Sequence, residues 1–146
     1  MNEPRQLCTF TIDGQWFGVE VRQVQEVIRY QPMTRVPLAH PVVHGLINLR
    51  GQIVTAVDLR RRLELPDRPS GRLPMNIVVR SDDGAISLLV DEVGEVVEVA
   101  ESQWERAPET LTGVARTLVP GAYKLPDRLL LVLDTIRAVH LDVETA

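Results

Sequence analysis

An all-β fold, mainly strands with short helices and built as two similar small barrels or curled sheets packed face to face, follows from the residues used, the turns between them and a repeated order of elements. Aromatics are only 4% of a chain that is 45% hydrophobic, so Val, Leu and Ile must fill the core, and the β-branched members of that set suit a pleated, half-buried surface. Asp13-Gly14 and Arg50-Gly51 stand between apolar runs as tight hairpin turns, because such turns need positive φ. The order strand, turn, strand, capped helix occurs twice, as a repeated unit would.

Leu7 to Ile12 alternates and places Cys8, Phe10 and Ile12 on one strand face, with Cys8 as a small buried apolar residue. Asp13-Gly14 turns the chain, and Gln15 to Val19 returns as the partner strand. Val21, Val24, Val27 and Ile28 recur at helical spacing and predict a short helix with one buried stripe, which Pro32 and Pro37 stop from extending. Val42 opens an apolar run through Leu46, Ile47 and Leu49, and after Arg50-Gly51 the run Ile53 to Val57 completes a second hairpin.

Asp58 is placed to cap a short helix at Leu59 to Leu63, with Arg60, Arg61 and Arg62 projecting largely into solvent. Pro66 to Pro74 reads as an exposed linker. Ile77 to Val79, Ile86 to Val90 and Val96 to Val99 are strand-like, with a turn at Asp83-Gly84. Glu101 to Leu118 is polar and mixed, a long loop with a helical turn around Trp104. Leu129 to Leu133 is a buried strand, and Asp134 caps a last helix holding Ile136, Val139 and His140.

The two halves can be laid over one another. Val21, Val24, Glu26 and Val27 match Val90, Val93, Glu95 and Val96 at one offset (90 − 21 = 69), and Gly45, Leu49, Asp58, Arg61 and Leu65 match Gly121, Leu125, Asp134, Arg137 and Leu141 at another (121 − 45 = 76). Two β-rich halves can match in apolar residues by chance, but here the order of matches persists. Face-to-face packing of two such lobes buries the aliphatic excess, closes most strand edges and leaves a groove between them.

A net charge of −4, from 16 Lys and Arg against 20 Asp and Glu, offers no global positive field to a phosphate backbone. The Arg60-Arg61-Arg62 cluster lacks interleaved aromatics and reads as a solvated helix face, so a small-barrel nucleic-acid binder is the secondary reading. The apolar run Leu129 to Leu133 is far shorter than the roughly 20 residues of a spanning helix, so no membrane insertion is expected. The first residues lack the pattern of an export signal, which points to the cytoplasm. One cysteine permits no intrachain disulfide. His40 and His44 have helical-pair spacing with Pro41 between them, and no metal or other cofactor is implied. The acidic pairs Asp82-Asp83 and Asp91-Glu92 set no acid against a base, and no phosphate loop or nucleophile elbow is present, so an enzyme is not expected.

The segment Gly45-Leu46-Ile47-Asn48-Leu49-Arg50-Gly51-Gln52-Ile53-Val54, running on to Val57-Asp58-Leu59-Arg60, closely resembles the central signature of the CheW family of chemotaxis coupling proteins. Phe17-Gly18-Val19, Val24-Gln25-Glu26-Val27-Ile28 and Leu89-Val90-Asp91-Glu92-Val93 extend the resemblance over nearly the whole chain, from about Leu7 to Leu141. Thr55 stands where relatives usually have Pro, and Ser87 where many have Gly.

The resemblance implies one CheW-like domain over 1–146, with two SH3-like five-stranded barrel subdomains around a shared hydrophobic core. Lobe one would span about 14–74, and lobe two about 75–141, completed by the strand 6–12. It also implies a non-catalytic adaptor that binds the regulatory domain of a CheA-type histidine kinase and the cytoplasmic tip of methyl-accepting chemoreceptors. A receptor-contacting role carries over to Arg50, with Asn48, Gly51, Val24 and Glu26 nearby and Ile86 and Ser87 facing them across the groove. The kinase-binding residues are left unassigned. Gly51 permits a tight turn that holds the Arg50 guanidinium outward, where its planar fork suits a partner carboxylate.

Overall fold

The computed structural model describes residues 5–82 and 84–140; Asp83 and Leu141, used above for a turn and for the repeat, lie outside the described residues. β1 (Arg5–Ile12) and β2 (Gln15–Glu20) form the first hairpin. Asp13 and Gly14 turn it with φ of 52° and 77°, the double left-handed geometry that matches strand twist. Phe10 lies opposite Phe17 with ring centroids 5.9 Å apart.

The stretch Val21 to Ile28 is not the expected helix: one 3-10 turn, Val21–Gln23, leads into β3 (Val24–Ile28). The reason lies in the pairing with β6 (Met75–Ser81), where Val24 faces Val79 and Val27 faces Ile77, with a register shift between Val24 and Glu26. Three steps on β3 span two on its partner, so the bulge turns two valines three apart onto one face and imitates helical spacing.

β4 (Val43–Leu49) and β5 (Gln52–Asp58) make the second hairpin, with Arg50 and Gly51 at φ of 50° and 87°. Asp58 Oδ1 accepts from the Arg60 amide at 3.0 Å and opens α1 (Leu59–Arg62). After the linker come β6, β7 (Gly84–Val90) and β8 (Glu92–Val99). Trp104 sits in a strand, not in a helical turn: β9 (Trp104–Arg106) follows a 3-10 turn at Glu101–Gln103, and α2 (Gly113–Leu118) lies further on. β10 (Gly121–Lys124) and β11 (Leu129–Val132) precede α3 (Thr135–Val139), where Asp134 Oδ1 accepts from the Arg137 amide at 3.1 Å.

Among the described residues the strands form two sheets, ordered β8-β1-β2-β11-β10-β9 and β3-β6-β7-β5-β4. The repeat is present in their register. Gly45↔Ala56 and Asn48↔Ile53 in one hairpin become Gly121↔Val132 and Lys124↔Leu129 in the other, and parallel Thr55↔Ile86 becomes Leu131↔Phe17. The Asp58 amide donates to Val42 O and the Asp134 amide to Leu118 O, both at 2.8 Å. Arg61 donates to Pro41 O at 3.2 Å and Arg137 to Thr117 O at 3.3 Å.

Strand for strand, β3, β6, β7, β5 and β4 therefore correspond to β8, β1, β2, β11 and β10. In chain order each unit is a leading hairpin, a single strand and a second hairpin, and the leading hairpins are exchanged. β1–β2 completes the sheet of β8, β10 and β11, while β6–β7 completes the sheet of β3, β4 and β5.

The largest core cluster lies between the sheets and draws on both, with Phe10, Ile12, Phe17, Val19, Ile77, Val79, Leu88 and Val90. A smaller cluster on the other face of the five-stranded sheet holds Ile47, Leu49, Val54, Ala56, Val78 and Leu89. Its counterpart in the six-stranded sheet holds Leu7, Val99, Tyr123 and Leu130.

Gly45 and Gly121 occupy equivalent positions, and each admits a crossing chain. A Cβ on Gly45 would lie 2.8 Å from Thr34 O, and one on Gly121 would lie 2.3 Å from Trp104 Cζ2 and 2.6 Å from Glu105 O.

Candidate functional site

The β4–β5 tip brings together four of the residues singled out in the sequence. Asn48 Oδ1 accepts from the Gly51 amide at 3.0 Å and braces the turn. Arg50 is carried outward with 74% of its side chain exposed, and its Nη2 pairs with Glu26 Oε2. β3 and β4 are the two edges of the five-stranded sheet, so this ion pair ties one edge to the turn beyond the other. An ion pair this exposed adds little to stability, typically below about 1 kcal/mol. Its effect is to fix where the guanidinium points, leaving donors free for a second carboxylate.

Val24 and Ile86 lie elsewhere on the same sheet. Val24 faces Val79, Val79 faces Ile86, Ile86 faces Thr55 and Thr55 faces Leu46, which makes one row across all five strands. Val79 is buried while Val24, Ile86, Thr55 and Leu46 are half-buried, and Ile53 beside them is 60% exposed. Ser87 does not join that surface. It points to the opposite face from Ile86, is fully buried, and donates to Asn76 Oδ1 at 2.7 Å.

The repeat shows what the row lacks. Its counterpart in the six-stranded sheet is Val93, Phe10, Phe17, Leu131 and Ala122, and the last four are buried. The connection from β8 to β10 carries α2, whose Val114, Ala115 and Leu118 pack into the shared core with these residues. The connection from β3 to β4 carries no helix. A row that is buried at four of five positions in one lobe is only half-buried at four of five in the other, where Val79 alone is fully covered.

Sequence reasoning missed the most highly connected charge. Asp91 receives Arg60 Nη2 at 2.6 Å, Arg68 Nε at 2.9 Å and the Asp13 amide at 2.7 Å. Arg60 also donates to Pro66 O at 3.0 Å and Asp67 O at 3.3 Å. Arg60 thus does not project into solvent: its side chain is 8% exposed, that of Arg68 in the linker is 9%, and that of Asp91 is 14%. Burial pushes the Asp91 carboxyl up, but hydrogen bonds from Arg60, Asp13 and Arg68 outweigh it and bring its pKa down to about 2. Arg62 is likewise engaged, donating to Ala138 O and Arg137 O at 2.9 Å each. The arginine cluster is spent on internal contacts, which removes the feature that suggested a phosphate-binding face.

His40 Nδ1 accepts from the Val42 amide at 3.2 Å in a turn, and His44 is half-buried on β4, so the two do not form a helical pair. Burial lowers the His44 pKa, opposed by Asp58 and aided by Arg61, Arg68 and Arg35. Burial raises that of the Cys8 thiol, which keeps it an inert core group. No helix of the described residues is long and apolar enough to cross a membrane.

The model of the CheW-like domain family matches residues 6–142. A chemotaxis protein CheW of Bacillus subtilis is 33% identical over 128 residues, covering 88% of this chain and 82% of that protein. One from Thermotoga maritima is 31% identical over 138 residues, covering 92% and 87%. In three dimensions the chain is similar to the scaffolding protein TtCheW of Thermoanaerobacter tengcongensis, with a TM-score of 0.86, 25% identity, and 96% and 95% of the two chains covered.

Proposed function

Since the chain belongs to the family of CheW-like domains, we propose that its β4–β5 tip and the half-buried row beside it hold the cytoplasmic tip of a methyl-accepting chemoreceptor, while the same chain engages the regulatory domain of a CheA-type histidine kinase. The protein is a chemotaxis adaptor, a non-catalytic scaffold. It transmits receptor state by holding two partners in fixed geometry, and this places it in membrane-associated receptor arrays.

The observation that carries the reading is the unfilled counterpart of the α2 seat. Val24, Leu46, Thr55 and Ile86 offer a half-buried apolar strip, and a helix from outside the chain would complete in lobe one what α2 completes in lobe two. Arg50, aimed by Glu26 and braced by Asn48 and Gly51, stands at one end of that strip to take a carboxylate of the docked segment. Ser87 supports the strip from beneath through Asn76.

Arg50→Ala is expected to leave the fold intact and to weaken binding to a purified receptor tip by about 1.5 to 3 kcal/mol, the usual size of a hydrogen bond to a charged group. Titration calorimetry with purified components is the measurement, because linked contacts in a cellular array mask single losses. Unchanged affinity would remove Arg50 from the site.

A further inference from the structure

The linker between the lobes reverses at a turn that its own residues dictate. Gly71 has a φ of +87°, and the Arg72 amide donates to Pro69 O at 3.2 Å, the reversal that a glycine at the third position allows. Arg68 leads into that turn and Arg72 leaves it. Both line one cleft of about 190 Å³, walled also by Asp91 and Glu92 and, on an apolar side, by Leu73, which is 67% exposed. A hole of about 150 Å³ takes up benzene, so the cleft has room for a ligand of several heavy atoms.

Its polar wall has donors to spare and no acceptor left for them. Arg68 spends only Nε, on Asp91 Oδ1 at 2.9 Å. Its Nη2 is wholly buried without a hydrogen bond, and Asp58 Oδ1, the carboxylate oxygen facing it, is 3.7 Å away. Asp91 cannot serve it again, because both of its oxygens already accept from Arg60, one also from Arg68 and the other from the Asp13 amide. Arg72 is 70% exposed and pairs loosely with Glu92 Oε1 at 3.7 Å. A buried guanidinium edge without an acceptor is costly. Held by Nε alone, the Arg68 side chain can pivot to offer both Nη atoms to an acceptor in the cleft.

Charge and shape set the class of that acceptor. Arg60, Arg68 and Arg72 are balanced by Asp58, Asp91 and Glu92, so the cleft has no surplus to hold a dianion. One added negative charge is what two underused guanidiniums accommodate, and a carboxylate matches their forks. We propose that the linker cleft binds a small monocarboxylic acid, its carboxylate on Arg68 and Arg72 and a short apolar body against Leu73. The site uses no residue of the receptor-binding tip and is independent of that reading.

Butyrate is the probe, titrated into the full chain at constant ionic strength while the arginine Nε–H signals are followed by NMR. The Arg68 signal should move along a saturating curve with a millimolar dissociation constant, the range open to so few atoms against a partly exposed wall. The thermal midpoint should rise with butyrate concentration, because the ligand binds only the folded chain. Formate lacks the apolar body and should bind several-fold more weakly, and butyramide lacks the charge and should not bind. Arg72→Gln, at an exposed position, should keep the fold and weaken butyrate about 10-fold, the lower end for one charged hydrogen bond. Leu73→Ser should weaken butyrate and leave formate unchanged. Glu92→Gln removes the acid that competes for Arg72 and should tighten binding. A shift that never saturates, or one that chloride reproduces, means an adventitious ion only and overturns the proposal. So does phosphate binding more tightly than butyrate, or an Arg72→Gln variant that binds like the parent.

Discussion

Asp91→Asn should destabilise the protein by about 3 to 5 kcal/mol, the cost of breaking a buried ion pair from one side. The carboxylate neutralises two guanidiniums that are nearly out of water, those of Arg60 and Arg68. Asp13 and Asp58 stand 3.8 Å and 3.7 Å from these cations and cannot replace its hydrogen bonds. Through Arg60 and Arg68 the same carboxylate holds α1 and the linker, and through the Asp13 amide it holds the first hairpin turn. Urea unfolding of parent and variant measures the difference, and a loss under about 1 kcal/mol, the range of exposed pairs such as Arg50–Glu26, would show that the cluster does not latch these segments.

The same group sets an acid limit. Its folded pKa, about 2, lies below the ordinary 3.8, so the stability it contributes is complete above about pH 4 and is lost as pH falls towards 2, because the unfolded chain takes up the proton first. That contribution is on the order of 2 kcal/mol. Stability measured from pH 5 downwards should fall less steeply in Asp91→Asn than in the parent.

Gly121→Ala is expected to cost about 3 kcal/mol, at the upper end for overpacking. The new methyl would meet the Trp104 ring and the Glu105 carbonyl. The ring is held edge-on against Tyr123 at 5.0 Å, and the carbonyl belongs to the β9–β10 pairing, so neither yields without giving up strand contacts. Hydrogen exchange should show protection at Trp104–Arg106 collapsing before the rest of the sheet. At the equivalent Gly45 the nearest atoms are slightly further off, Thr34 O at 2.8 Å and Met33 Cβ at 3.0 Å, and only an isolated bridge is at risk. The milder loss expected there, with equal effects at the two sites counting against the explanation, ties the difference to β9.

Features decided by neighbours in the chain were legible in advance. Asp13-Gly14, Arg50-Gly51, and the caps Asp58 and Asp134 act within a few residues, and all four sit where the residues placed them. The exposed Arg50 tip was readable for the same reason. Features decided across the fold were not. The β3 bulge depends on a partner strand about 50 positions away, and without it Val24 and Val27 look helical. Nothing near Arg60 announces Asp91, 31 positions on, so three consecutive arginines read as solvated when two are tied down. The resemblance sets Ser87 beside Ile86 across the groove, whereas strand alternation turns the two to opposite faces and buries Ser87.

The exchanged hairpins also govern how the molecule comes into being. Phe17 waits for Leu131, a separation of 114 positions (131 − 17), and Phe10 for Val93. A ribosome delivers the first hairpin long before the strands that flank it exist, so these rings stay wet until almost the last turn of synthesis. Maturation is consequently late, slow and all at once, as high contact order dictates, and a chain cut short before residue 129 leaves β2 without its parallel neighbour.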